Sequence, residues 1–219
     1  MKNLLQKEFR LAIHPMVFLF WLLSAMLIIP SYPYSVVFFY TTLGLFFVCL
    51  TGRENHDIEY SISLPVRKRD IVRTRFLFAV IVELAQLVIA VPFAMLRQRM
   101  PVPPNEVGME ANVALFAFAL VLYGVFNLTF FTAYYRAPDK VGKAFAVSSI
   151  LVFALIIALE ALTHIVPLMR DQLDTPDPRF MGAKLAALGV GAVIFALCTT
   201  LGCKRSADTF EKLDLQRLF

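Results

Sequence analysis

Residues 66–96 read VRKRDIVRTR followed by FLFAVIVELAQLVIAVPFAML, and the break between Arg75 and Phe76 decides the fold. Ahead of the break, five of the nine residues from Arg67 to Arg75 are basic and one is acidic. Behind it, Phe76 to Leu96 carries a single ionisable side chain, Glu83. A helix needs roughly 20 apolar residues to cross a bilayer, so this run is a span and the charge before it marks a membrane surface.

Five more apolar runs follow outward from it: about Met16–Ile29, Tyr34–Leu50, Ala111–Tyr134, Ala144–Val166 and Met181–Cys203. The expected fold is therefore all-α, a polytopic membrane protein with six transmembrane helices in one domain over residues 1–219. Met16–Ile29 is short and is joined to the second span by the tight turn Pro30-Ser-Tyr-Pro33, so it is expected to be tilted or re-entrant. Composition agrees: 59% of residues are hydrophobic and 17% charged, against about 45–50% and about 25% for a soluble domain.

Residues 1–14 form an amphipathic pattern. Leu5, Phe9, Ala12 and Ile13 share one helical face, with Lys2, Gln6, Lys7 and Arg10 elsewhere. This suits a helix lying in the membrane interface. It has neither the apolar core nor the cleavage site of a signal peptide, and Pro15 makes an elbow before the first span. Cys49, Cys198 and Cys203 lie in or at the ends of apolar runs, with no metal-type spacing, and read as free thiols.

Orientation follows from the loops. The N-terminus, the second and fourth loops and the tail carry sixteen Lys and Arg residues, and the first, third and fifth loops carry four. The positive-inside rule puts both termini and residues 51–75 in the cytoplasm, with 16–50 as the first two spans, 76–203 as spans three to six and 204–219 as a cytoplasmic tail. The net charge of +5 is thus a topological signal. It is not a nucleic-acid footprint, because no aromatic stacking platform accompanies it.

The loop 51–75 is acidic, Glu54-Asn-His-Asp-Ile-Glu59, and then basic beyond Leu64-Pro65. Anionic membrane lipid explains the bases but would repel the acids. Pro65 is placed as the first residue of a helix with Ser63 as a cap. The expected form is two short helices meeting at Leu-Pro, an elbow parallel to the membrane and shaped for a mixed-charge protein surface.

These residues carry a resemblance. An interfacial helix, six spans and a loop reading Ser63-Leu-Pro-Val-Arg-Lys-Arg-Asp-Ile-Val72 resemble the permease subunits of type-2 ABC transporters. The similarity is to small bacterial permeases of peptide exporters such as the phenol-soluble modulin exporter. It covers the chain by architecture and is carried residue by residue by Glu54 to Arg75.

The resemblance implies that this loop is a coupling helix docking into an ATPase subunit, with Glu54, Asp57, Glu59, Leu64, Pro65, Arg67, Arg69 and Asp70 as contacts. It also implies two ATPase copies that bind ATP and Mg. A second permease chain, a homodimer in preference to a heterodimer, would complete the pore in the bacterial cytoplasmic membrane. The cargo implied is an amphipathic, cytolytic or antimicrobial peptide. The outer loops are short, a departure from larger members with an extracellular domain. The sequence itself holds no G-x-x-x-x-G-K-[ST] phosphate loop, so ATP is expected on a partner.

Ionisable groups inside spans default to functional hypotheses. Glu83 and Asn127 are expected at similar depth in adjacent antiparallel spans, with Gln86 one helical turn deeper on a similar face, as an interhelical bond, a polar spot on a translocation path or a proton-coupling group. Glu160 and His164 are i,i+4 but lack a third ligand, so no metal site and no catalytic residue is nominated. Two rival classes remain. An intramembrane enzyme would need acids and a His at one depth, and a non-transporting sensor or anchor would show no cargo-stimulated ATPase activity.

Overall fold

The computed structural model describes residues 2–105, 107–175 and 177–213. Helix α1 (Lys2–Lys7) widens into a π-type turn over Glu8–Ala12. At Pro15 the chain starts α2 (Pro15–Leu22), capped by His14 Nδ1, which accepts from Met16 N–H at 3.2 Å. Proline suits this first helical position, where its missing N–H has no partner to lose. The helix tightens to a 3₁₀ stretch over Leu23–Ile28, and Lys2–Ala12 meets Pro15–Ile28 at a bend of 79°.

The remaining helices are α3 (Ser35–Glu54), α4 (Asp57–Ser63), α5 (Lys68–Arg99), α6 (Val113–Arg136), α7 (Val141–Ile165) and α8 (Met181–Glu211). Helices α3, α5, α6, α7 and α8 are long and apolar enough to cross a membrane, with a sixth span only if the bent pair counts as one. The first span is short, as the sequence reading expects. Pro15–Ile28 reaches about 24 Å at ~1.5 Å per α and ~2.0 Å per 3₁₀ residue, short of the ~30 Å hydrocarbon core.

Two boundaries change. The basic segment from Lys68 is the first turn of α5, continuous with the span, and not a separate helix parallel to the membrane. Pro65 lies outside any helix, between extended Leu64 and Arg67, and the Ser63 hydroxyl turns back to Tyr60 O at 2.8 Å. At the other terminus α8 runs past Cys203 to Glu211. In each case hydropathy marks where bilayer contact ends, while the helix stops where its backbone bonds do.

Helices α3 and α6 form the inside of the bundle: 61% of each apolar window is enclosed, against 17% for α7 and 22% for α8, whose outer faces are free to meet lipid. α6 and α8 touch at backbone distance. A Cβ on Gly191 would stand 2.5 Å from Ala117 O, one on Gly124 3.0 Å from Phe195 Cα, and one on Gly202 3.0 Å from Leu128 Cα. Small residues at such crossings give close van der Waals packing, which replaces the hydrophobic effect inside lipid. Aromatic rings join α3, α6 and α7, with centroids at 4.3 Å for Phe46 and Phe145, 6.0 Å for Phe38 and Phe116, and 6.2 Å for Phe130 and Phe145. Phe38 and Phe39 are buried in this packing and do not face lipid.

Candidate functional site

The elbow, Glu54 to Lys68, stands at the end of the bundle where α3 finishes and α5 begins. His56 opens it in the left-handed region at φ 52°, a conformation His adopts more readily than bulky residues. Its Nδ1 lies 2.8 Å from Glu59 Oε2 across the first turn of α4.

The base of the elbow is fixed by four charges from three elements. Lys7 Nζ lies 2.6 Å from Asp57 Oδ1 and 3.2 Å from Glu8 Oε1, and donates to Ser61 Oγ at 2.8 Å. Arg75 Nη2 pairs with Asp57 Oδ2, and Arg75 Nε sits 3.1 Å from Glu8 Oε2, a charge contact without hydrogen-bond alignment. Glu8 and Arg75 are 2% and 3% exposed. Burial alone would push the Asp57 carboxyl up, but Arg75 and Lys7 outweigh it and hold it below the usual carboxylate value. Two cations and two anions balance, which is what allows ions to be buried here. The result ties the N-terminal helix, the elbow and the start of α5 into one unit.

Sequence reasoning had Lys7 on the polar face of an interfacial helix. The structure turns Leu4, Glu8 and Ala12 inward and leaves Leu11 71% exposed. The missed signal was Lys7-Glu8 in a helix whose Glu8 is in step with Leu4 and Ala12, opposite an Arg at the very start of a span.

The eight residues nominated on this loop separate into groups. Asp57 faces inward, as described. Arg69 Nη2 is held 2.7 Å from Glu211 Oε2 and 3.3 Å from Asp208 Oδ1 at the end of α8. Beside it Lys68 Nζ donates to Leu213 O at 3.1 Å. Glu54, Glu59 and Asp70 have neighbours of their own, with Arg53 at 3.6 Å, His56 at 2.8 Å and Arg73 at 3.9 Å. Leu64 is half-buried. Pro65 and Arg67 are exposed at the tip, and Arg67 makes no ion pair among the described residues. A groove of about 180 Å³ lined by Arg53, His56, Glu59 and Asp139 separates α4 from the α6–α7 turn.

Inside the bundle, Asn127 Nδ2 donates to Glu83 Oε2 at 2.9 Å and to Thr199 Oγ1 at 3.2 Å, so α5, α6 and α8 meet at one polar point. Thr199 was not foreseen. Glu83 Oε1 and Asn127 Oδ1 accept no bond within the described residues. Gln86 does not join them: its Nε2 donates to Ser24 Oγ at 2.8 Å, and Trp21 Nε1 donates to Val82 O at 3.2 Å, so this face of α5 holds the short first span.

At the far end the loops knit together. Asn112 caps α6 by accepting from Ala114 N–H at 2.8 Å and donates to Leu173 O at 2.8 Å. Glu160 accepts from Ser35 Oγ at 2.5 Å and from Met109 N–H at 2.9 Å, while His164 is exposed. A cleft of about 650 Å³ opens here beside Arg97, Glu110, Asp174 and Lys184. Burial, reinforced by Glu110 and Glu160, pushes the Asp174 carboxyl up to about 6, although its Oδ1 accepts from Glu110 N–H at 2.7 Å.

A bundle of this kind, with apolar outer faces, enclosed inner helices and an ion-paired elbow at one end, is a multi-pass membrane protein. The family model described as ABC-2 family transporter protein matches residues 3–204. The chain belongs to that family, whose members are membrane components of transporters that work with an ABC ATPase. No curated protein and no solved structure matches the chain.

Proposed function

We propose that this chain is the permease subunit of an ATP-driven exporter, powered by separate ATPase subunits that engage the tip of the elbow. The observation that carries the reading is the elbow itself. Pro65 and Arg67 project from a base that a buried ion cluster fuses to α1 and α5. A push at the tip is then delivered to a span and to the N-terminal helix together, where a loosely tethered loop would absorb it. The contact set narrows to the tip, Leu64, Pro65 and Arg67, with Glu54 and Glu59 at its flank. Asp57 and Arg69 hold the elbow in shape.

Two ATPase copies binding ATP and Mg, a homodimeric pore and the bacterial cytoplasmic membrane with both termini inside follow from the resemblance set out above. The cargo class is an amphipathic or hydrophobic peptide, of the cytolytic or antimicrobial kind that phenol-soluble modulin exporters carry. Support comes from the sparse polar inventory of the spans, where Glu83, Gln86 and Asn127 are all turned to protein partners. A tagged chain purified from its own host together with whatever ABC ATPase it retains tests the reading. The ATPase is expected to co-purify, Arg67→Glu with Pro65→Asp to release it, and amphipathic peptide to raise ATP hydrolysis in proteoliposomes. An ATPase retained in full by the double variant overturns the docking assignment, and hydrolysis indifferent to peptide overturns the cargo class.

A further inference from the structure

Between the elbow-side ends of α5 and α8 lies a groove of about 380 Å³ lined by Arg69, Arg73, Thr200, Lys204 and Asp208. We infer that it is a binding site for the headgroup of one anionic phospholipid in the leaflet on that side.

Three observations converge on this. The groove lining carries three cations and one acid, and Arg69 is paired with Asp208 and with Glu211 just beyond it, which leaves Arg73 and Lys204. Asp208 holds Arg69, whereas Arg73, at 57% side-chain exposure, has only Asp70 at 3.9 Å. Lys204 is exposed and makes no ion pair among the described residues. The depth is right: Arg73 lies three residues before the apolar run that starts at Phe76, and Lys204 directly follows Cys203, where the last apolar run ends. That is the level of lipid phosphates, and basic pockets between spans at this level recognise anionic headgroups.

The walls below the charges are built for acyl chains. Arg69, Arg73, Leu77, Ile81 and Leu84 follow one another at helical spacing on α5, and the last three are 40%, 37% and 41% exposed. On α8 the same spacing runs from Lys204 through Thr200 to Leu197 and Val193, which are 63% and 57% exposed. Arg69 and Arg73 on α5, and Lys204 on α8, thus stand above an apolar stripe of their own helix. A free anion would leave that trough empty, whereas a phospholipid fills both parts.

Native mass spectrometry of the full-length chain in detergent, titrated with phosphatidylglycerol or phosphatidylcholine, tests the site. One phosphatidylglycerol is expected to be retained in preference to phosphatidylcholine. Arg73→Gln with Lys204→Gln should lower its occupancy on the order of tenfold. Lys140→Gln with Lys143→Gln, two exposed residues of the same membrane face, should leave it unchanged. Equal retention of the two lipids, or equal loss in the control, overturns the site. Full competition by millimolar glycerol phosphate or inorganic phosphate overturns the lipid in favour of a small anion. Loss of a co-expressed ATPase from Arg73→Gln with Lys204→Gln, at unchanged lipid occupancy, makes the groove a protein contact and also overturns it.

Discussion

Arg75 is the residue on which most of the elbow's geometry depends, because it meets Glu8 from one side and Asp57 from the other while 3% exposed. Removing one member of a buried pair strands the other charge, at a cost of about 3–5 kcal/mol. Arg75→Gln is expected to lose that much in denaturant unfolding of the detergent-solubilised chain. Glu8→Gln added to it should cost less than the two single changes summed, since neither then leaves an uncompensated ion. Additivity of the two would show that they do not interact. Asp174 gives the opposite sign. Its carboxyl is raised from 3.8 to about 6, so the folded state binds the proton more tightly than the unfolded one. That stability is fully present below pH ~4 and is lost as pH rises through ~6. The group is partly exposed, and screening limits the gain to on the order of 1 kcal/mol. Asp174→Asn should stabilise the protein at pH 8 and flatten its melting temperature between pH 4 and 7; an unchanged profile would place the titration elsewhere.

Among the elements, the α6–α8 crossing is the tightest. Gly191 has the Ala117 carbonyl where a Cβ would go, and neither backbone can yield without shifting its helix. Gly191→Ala is expected to cost about 1–3 kcal/mol, the usual range for overpacking. Gly189→Ala, two residues away with open space around it, should be neutral or slightly stabilising. Equal thermal shifts for the two variants would mean the crossing is not tight. The four later spans were legible because about 20 apolar residues dominate any local signal. The glycine contacts behind them were not, since Gly191 and Gly189 look alike until α6 is laid against one of them. The elbow was legible in part: its acids, bases and Leu64-Pro65 bend stood out. That Asp57 turns in to Lys7, fifty positions away, has no local pattern. The Glu83–Asn127 bond could be anticipated from depth alone, whereas Thr199 required knowing which helix lies third.

On the scale of the whole molecule, the short first span decides topology. Five helices qualify as spans by length, and an odd number would put the two ends of the chain on opposite sides. The contacts argue otherwise. Lys7 binds Asp57 at the end where α3 finishes, so residues 2–12 sit at the elbow. Helix α3 begins at the opposite end, with Ser35 bonded to Glu160 among the far loops. Between Ile13 and Ser35 the chain must therefore travel from one end to the other. Trp21 bonding Val82 and Ser24 bonding Gln86 mark that passage step by step along α5. The missing length is made up by residues 29–34, where Ser31 sits at φ 58° and Tyr34 Oη donates to Ile29 O at 3.0 Å. Six crossings would place residues 2–12 and the end of α8 together on the elbow side. A chain with Cys49, Cys198 and Cys203 replaced by Ala, carrying single cysteines at exposed Asn3, Arg67, Arg170 or Lys212, checks this with a membrane-impermeant maleimide. Intact cells should label Arg170→Cys alone, and inverted vesicles should label Asn3→Cys, Arg67→Cys and Lys212→Cys. Labelling of Asn3→Cys from the same side as Arg170→Cys would reduce the bundle to five crossings. It would also detach the N-terminal helix from the elbow, and with it the ion cluster through which motion at the tip reaches α5.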